Sequence, residues 1–370
     1  MKLLYIANAR MPTEKAHGIQ ITKMCEAFAR EGEEVTLCVP KRKNVIKEDI
    51  FAFYGVEKNF SVVYLPVFDF MALGFMGFLV ESLSFAYAVR KYIKSNNFDV
   101  VYGRDEVSLF AVSRMSGKKV FWEAHTGQWN FFVRKLISVK NYIVSISQGL
   151  KDFYIAHGVE ETSVFVAHDG VDLGDRSQIG DKESLRDKLN LPRDVFVAMY
   201  AGKLGGWKGV GTLLQSSLLI DGVTFVIIGG DKQSVENLQK KYPHVVFMGF
   251  LPYRDIALYE QVADVLVIPN SGKDIISRLY TSPLKLFSYM ASGVPMIASD
   301  LPSIREVLTD DSVTFAQADN PESFALAIRS VKDNKVLAQK KADKAKILVE
   351  NYTWAKRAQA IISFIHGKTL

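Results

Sequence analysis

One layout is carried out twice along this chain, and that repetition limits the fold more than any other feature. Strand-like apolar runs alternate with helical patterns at residues 2–7, 34–39, 61–65, 100–102, 119–123 and 142–145. The alternation restarts at residues 195–201, 223–228, 245–248, 265–269, 295–299 and 313–315. Strands separated by helices predict parallel sheets covered by those helices, an α/β class. Between the first two runs Ile21, Met24, Cys25 and Phe28 fall at helical spacing, with Gly32 as the stop. A polar, charged stretch over residues 173–194 reads as a linker, so two Rossmann-like domains are expected, residues 1–175 and 190–352. The tail, residues 353–370, reads as an amphipathic helix (Trp354, Ala358, Ile361, Ile362, Phe364) packing back on the first domain. Two sheets with facing carboxyl edges would leave one deep cleft, where open α/β sheets bind ligands.

At 370 residues there is chain enough for two cores, and 48% hydrophobic with 23% charged residues is ordinary for a globular protein. The formal charge of +6 is thinly spread, without the interleaved basic and aromatic residues that read nucleic acid, so no such partner is expected. A mild basic bias suits phosphate-rich small molecules or an anionic membrane surface. Cys25 and Cys38 fall in a helix and a strand, as core residues of a protein in a reducing compartment. The opening Met-Lys-Leu-Leu-Tyr-Ile-Ala is a strand, too short for a signal segment, which favours a cytoplasmic location. The run from Phe70 to Val80 is the most apolar, yet short of the roughly 20 residues that span a bilayer. It reads as a buried helix, or else as a surface dipping into a membrane interface or lining an acceptor groove.

Residues 282–306 carry the clearest local chemistry. Ser282 is a good N-cap, Pro283 suits the first helical position, and Leu284, Phe287 and Ala291 repeat at helical spacing until Gly293 closes the helix. The first turn of such a helix offers unpaired N–H groups and a positive dipole end, which suits a phosphate. The loop Ala201-Gly-Lys-Leu-Gly-Gly-Trp-Lys-Gly209 follows a strand and precedes a helix. Its glycines let the backbone approach a ligand, and Lys203 and Lys208 add charge, so it reads as a diphosphate cradle or as a plain turn with solvated lysines. It is neither a P-loop nor a G-x-G-x-x-G fingerprint. His17-Gly18, just ahead of the first helix, follows the same logic. Glu123-Ala-His125 ends a strand at the carboxyl edge, which Arg104 and Asp105 share. The sequence has no Asp-x-Asp pair and no Cys/His set at metal spacing, so neither metal nor other cofactor is expected. Lysine, arginine and helix dipoles would then have to neutralise phosphate.

Taken together, these residues resemble the family 4 glycosyltransferases of GT-B fold along nearly the whole chain. The opening strand, the Gly18 loop and Phe28-Ala-Arg-Glu-Gly-Glu-Glu-Val35 are similar to the start of that family. Ala167-His-Asp-Gly-Val-Asp172 resembles its Pro-Asn-Gly-Val-Asp signature with two substitutions. Tyr200-Ala-Gly-Lys-Leu with Lys208-Gly resembles its Gly-Arg-Leu…Lys-Gly, with Lys203 where arginine is usual. Phe247-Met-Gly-Phe-Leu-Pro252 and the stretch from Ser282 to Glu306 complete the set.

The resemblance implies a retaining, metal-independent transfer of a hexosyl or N-acetylhexosaminyl group from a UDP- or GDP-type donor. The acceptor would be a glycan or a lipid-linked group in cell-surface polysaccharide or glycoconjugate synthesis, at the inner face of the membrane. The first domain would take the acceptor and the second the donor. Lys203 and Lys208 would hold the diphosphate with the amides of Leu284 and Lys285, at the helix start marked by Ser282 and Pro283. The base would sit near Met248, Gly249 and Phe250, and Gly18 would cover the phosphate from the other domain. His125 would lie beside the anomeric centre or the sugar's 6-position, with Lys208 and Glu306 as the other catalytic candidates. Retention in the family is attributed to front-face attack, with the leaving phosphate taking the acceptor proton.

Two positions depart from the pattern. The family has glutamates eight residues apart where this chain has Tyr280 and Ser288. The second glutamate binds the ribose hydroxyls, so Ser288 would forfeit a charge-assisted hydrogen bond and weaken donor binding roughly 10- to 100-fold. An unusual donor site, a non-catalytic homologue binding a nucleotide sugar or partner, and a deliberately altered residue all fit that departure. A sugar-nucleotide epimerase of the same fold is a further alternative.

Overall fold

The computed structural model describes residues 1–70, 74–115, 119–138, 141–174, 182–188, 191 and 193–369. They form two compact units, Met1–His168 with Trp354–Leu370, and Asp169–Thr353. The expected boundary residues Asp175 and Asn190, with much of the expected linker, lie outside the described residues.

The first unit is built on seven parallel strands: β1 (Lys2–Ile6), β2 (Glu34–Lys41), β3 (Ser61–Pro66), β4 (Val100–Gly103), β5 (Lys119–Ala124), β6 (Tyr142–Ser145) and β7 (Val164–Val166). Their order is 3-2-1-4-5-6-7, with Leu3 of β1 opposite Val35 on one side and Val100 on the other. Central strands such as β1 and β4 are buried on both faces, which is why they read as continuous apolar runs rather than alternating ones. The seventh strand was not expected. It has only three residues, too few for a strand period to show. The chain's last helix, Trp354–Thr369, packs on the helix Ala16–Arg30, and Phe364 stacks on Phe165 with ring centres 5.1 Å apart.

The second unit has six parallel strands: β8 (Phe196–Ala201), β9 (Val223–Ile228), β10 (Val246–Gly249), β11 (Val265–Ile268), β12 (Met296–Ser299) and β13 (Thr314–Ala316), in the order 10-9-8-11-12-13. Alternation along β8 splits the core. Val197 and Met199 face Phe287, Met290 and Ile304, whereas Ala198 and Tyr200 face Leu213, Phe324 and Ile328. Each fully buried Phe or Leu of this kind contributes about 1.5–3 kcal/mol relative to leaving it in water. The fold is thus α/β with two Rossmann-like parallel sheets, and Cys25 and Cys38 are buried free thiols.

Three local expectations are corrected. His17 and Gly18 lie inside the helix Ala16–Arg30 rather than ahead of it, because the chain turns helical directly after Lys15. The helix Leu284–Ser292 has Pro283 at its N-cap with no side-chain cap bond; Ser282 falls one residue before the cap, and its Oγ accepts the Asp169 N–H at 2.9 Å instead. The run from Phe70 to Val80 is not a buried helix. Met71 to Leu73 lie outside the described residues, while Phe70, Phe75, Met76 and Phe78 are exposed at the start of the helix Gly74–Ser95. Only one narrow face of that helix, through Gly77, Glu81, Ser82, Phe85 and Val89, turns inward. Among the described residues no helix is long and apolar enough to cross a membrane.

Candidate functional site

In each unit the strand order reverses direction at one point, between β1 and β4 and between β8 and β11. Loops leaving the carboxyl ends of such strand pairs form the natural ligand crevice of an open α/β sheet.

In the second unit the loop after β8 packs against the loop after β11. Gly209 sits at φ +68°, and a Cβ there would lie 1.7 Å from the Pro269 carbonyl oxygen, so only glycine allows this approach. The Ser271 N–H donates to the Trp207 carbonyl at 2.9 Å and ties the two loops together. This brings three ammonium groups to one place. Lys208 lies over the Trp207 ring, 3.4 Å from its centre, and Lys285 lies over the Tyr200 ring at 3.7 Å. Lys203 is exposed beside them, and its carbonyl accepts the Tyr200 hydroxyl at 2.8 Å. A Cβ on Gly202 would meet Lys285 Nζ at 2.8 Å, so the first glycine of the loop is what lets the Lys285 side chain in.

The electrostatics follow from that crowding. Burial, and then the charge of Lys203, push Lys208 down to about 8. Burial, and then the charge of Lys208, push Lys285 well below the usual lysine range. Lys285 Nζ is buried with no hydrogen-bond partner among the described residues. The amides of Leu284 and Lys285 open a nine-residue helix, where backbone N–H groups have no intrahelical acceptor. Converging cations, orphan amides and a helix dipole make an anion site.

The other expected residues of this unit are more dispersed. Met248 and Gly249 end β10, where the Gly249 carbonyl accepts the Gly229 N–H at 2.6 Å, and Phe250 just beyond is exposed. Glu306 follows the short helix Pro302–Arg305; burial, and then the Glu306 charge, raise the Tyr352 phenol, which places Glu306 by Tyr352. Tyr280 is buried in a π-helical turn, Ile276–Tyr280. Ser288 is buried, and its Oγ donates toward both carboxylate oxygens of Glu260, at 2.7 and 2.8 Å. Glu260 comes from the neighbouring helix Tyr253–Val262 and was not picked out from sequence. Its signal was a glutamate on the inward side of an amphipathic helix.

In the first unit the switch point holds a buried polar network around Glu123. Oε1 of Glu123 accepts from Gln20 Nε2 at 2.5 Å and from His125 Nε2 at 2.6 Å. Oε2 accepts from the Tyr102 hydroxyl and, at 3.4 Å, from Arg357 Nη1. Burial alone would raise this carboxyl, but Arg357 and the His125 hydrogen bond outweigh it and hold Glu123 well below the carboxylate range. An ionised Glu123 only accepts, so His125 carries its proton on Nε2 and leaves Nδ1 as an acceptor. Burial, and then Arg104, lower His125 to about 4, so its ring is neutral near pH 7. Arg104 in turn donates to Gln20 Oε1 at 2.9 Å. Gly18 lies two residues before Gln20 on the same helix, and a Cβ there would lie 2.1 Å from the Tyr54 hydroxyl. Its smallness is therefore already required by Tyr54. Gln20, Glu123 and Arg357 were missed as site residues; a glutamate in the apolar strand Phe-Trp-Glu-Ala was the available signal.

The comparisons with known proteins agree with this architecture. A family model described as Glycosyltransferase Family 4 matches residues 18–175, and one described as Glycosyl transferases group 1 matches residues 195–334. The chain belongs to the family 4 glycosyltransferases of GT-B fold. An uncharacterized glycosyltransferase of Methanocaldococcus jannaschii is 22% identical over 312 residues, 81% of this chain and 75% of that one. Among solved structures, sucrose-phosphate synthase from Thermosynechococcus elongatus superposes with a TM-score of 0.80 at 16% identity, covering 99% of this chain and 98% of that one. Anabaena HepE in complex with UDP-glucose superposes with a TM-score of 0.77 at 15% identity, covering 99% and 100%.

Proposed function

We propose that this protein transfers a hexosyl or N-acetylhexosaminyl group from a nucleoside diphosphate donor to a glycan or lipid-linked acceptor, with retention of anomeric configuration. The observation that carries the reading is the convergence of Lys203, Lys208 and Lys285 on the first turn of the helix Leu284–Ser292. A diphosphate is the ligand whose charge and size suit three ammonium groups and two free amides. Of the neighbours named above, Anabaena HepE is in complex with UDP-glucose, a donor of that class.

In this reading the lysines and the helix dipole stabilise the charge that develops as the sugar–phosphate bond breaks, without a metal ion. The acceptor oxygen bonds to the anomeric carbon on the face the phosphate leaves. Its proton passes to the departing phosphate oxygen, so no protein nucleophile is needed. His125, neutral with Nδ1 free to accept, orients a sugar hydroxyl, and Glu306 is a polar neighbour of the donor. The nucleobase lies by Met248, Gly249 and Phe250.

The acceptor side rests on the helix Gly74–Ser95. Met76, Val80, Leu83 and Tyr87 form an exposed apolar stripe at helical spacing, and Lys91 and Lys94 continue it. Apolar residues followed by lysines suit the surface of an anionic bilayer, where a lipid-linked acceptor would be found.

The test is to incubate the protein with UDP-, GDP- and ADP-sugars and follow nucleotide release and the anomeric proton of the first product by NMR, with and without EDTA. Retention and EDTA-insensitive turnover are expected. Inversion, or a strict metal requirement, contradicts the mechanism.

A further inference from the structure

The pair Ser288 and Glu260 has a geometry that a simple helix-to-helix contact does not require. Glu260 is 1% exposed, yet both its carboxylate oxygens lie within hydrogen-bond reach of one small hydroxyl, at 2.7 and 2.8 Å. Ser288 is three residues beyond Lys285, so the two share a helix face with Cβ atoms about 5–6 Å apart. Tyr289 joins the same cluster. Its hydroxyl accepts the Ala201 N–H at 2.8 Å at the end of β8, and after burial it is the Glu260 charge that raises its phenol most. The carboxylate is thus linked, through Tyr289, to Ala201, the residue from which the loop carrying Lys203 and Lys208 departs.

We infer that Glu260 is a positioning residue for the donor's ribose, acting through Ser288. This rests on the donor reading above: with the diphosphate on Lys208 and Lys285, the ribose bonded to it falls within about one helical turn of that seat. The Ser288 proton is directed at Glu260, so Oγ meets a ligand with lone pairs only. It can then accept from a ribose hydroxyl but not donate to one. A hydroxyl backed by a carboxylate is a stronger acceptor than serine alone, because hydrogen bonds in series polarise each other and the last member is ionic. The residue at 288 is therefore short and neutral, but a carboxylate stands behind it, supplied by the adjacent helix. Ser288 marks a charge moved between helices rather than a charge lost.

A purely structural Glu260–Ser288 contact would affect all nucleotides alike, which makes ribose discrimination the decisive readout. Calorimetric affinities would be measured for UDP, GDP and ADP and for their 2′-deoxy and 3′-deoxy counterparts. For the nucleotide that binds, the unaltered protein should prefer the ribose form by roughly tenfold or more over at least one deoxy form. Glu260→Gln and Ser288→Ala should each bring that ratio near unity, and the exchange Glu260→Ser with Ser288→Glu should restore it. Lys208→Met should weaken ribose and deoxy forms equally and keep the ratio. If Glu260→Gln does not fold, Ser288→Ala and the exchange decide the matter. An unchanged ratio in the Glu260 or Ser288 variants that fold overturns the ribose assignment while leaving the donor site standing. Absence of nucleotide binding by the unaltered protein overturns both.

Discussion

Lys285 and Tyr200 are held face to face, with the lysine ammonium 3.7 Å from the centre of the phenol ring and no hydrogen-bond partner among the described residues. A ring face recovers part of what an ammonium loses on leaving water, but less than a hydrogen-bonded counter-charge does. The helix Leu284–Ser292 therefore keeps a desolvated amine at its first turn, and a bound anion is what would favour its charged form.

Replacing Lys285 with methionine keeps the stem and removes the buried, unpartnered amino group. The second unit should become more stable by roughly 0.5–2 kcal/mol, a gain of about 2–4 °C in Tm per kcal/mol for a domain of this size. Affinity for a nucleoside diphosphate should fall roughly 10- to 100-fold in the same variant, as a charge-assisted hydrogen bond is lost. Thermal unfolding and calorimetry on one preparation check both signs. A less stable variant with unchanged affinity would make Lys285 a structural residue.

Lys208, held at about 8, loses most of its charge above that pH. A bound anion raises its pKa, so binding should take up a proton at and above about pH 8. Affinity should weaken up to tenfold per pH unit as pH rises through that region. Titrations between pH 7 and 9.5 in buffers of different ionisation heats reveal the proton uptake. Affinity independent of pH over that range goes against the assignment.

The first unit should be acid-labile. His125 is held at about 4, and burial followed by Arg104 and Lys15 holds His17 at about 4 as well. In the unfolded chain both return to about 6.5, so between those values the unfolded state binds more protons and stability falls as pH drops. Each histidine accounts for on the order of 3 kcal/mol at full extent. Glu123, depressed in the fold, extends the loss into lower pH once the unfolded carboxyl protonates below about 4.5. Urea unfolding at pH 7, 6, 5 and 4 should show the decline, with a shallower slope for His125→Gln. A flat profile would contradict the neutral, buried state of these rings.

Gly18 gives a test of packing. An alanine there puts a Cβ 2.1 Å from the Tyr54 hydroxyl, which itself accepts the Thr13 N–H at 2.7 Å and donates to the Thr13 carbonyl at 2.8 Å. Gly18→Ala should cost about 1–3 kcal/mol, and Tyr54→Phe should recover part of it by removing the clashing oxygen. Additive losses in the double variant would show that the two residues do not compete for space.

The architecture was readable from sequence because a strand buried on both faces announces itself as an unbroken apolar run, as β8 and β11 do. The three-residue β7 carries no such signal. Of the cradle, Lys203 and Lys208 were visible because they flank glycines in one loop, and only the backbone of Lys285 was anticipated. That its ammonium reaches the same point depends on Gly202, some eighty positions earlier and conspicuous only once folded. Likewise His125 could be named from its strand end, but its partner Glu123 is met by Gln20, Tyr102 and Arg357 only where the helix Ala16–Arg30, β4, β5 and the last helix come together. Ser288 read as a lost charge because its partner Glu260 lies on a different helix. Pairings between distant segments leave no periodicity to detect.

The most direct measurement is calorimetric titration of the unaltered protein and of Lys285→Met with UDP, GDP and ADP. The account predicts micromolar binding of one of the three to the unaltered protein and a loss of at least tenfold in the variant. Equal affinities in both proteins, or no binding of any nucleotide at millimolar concentration, would contradict it.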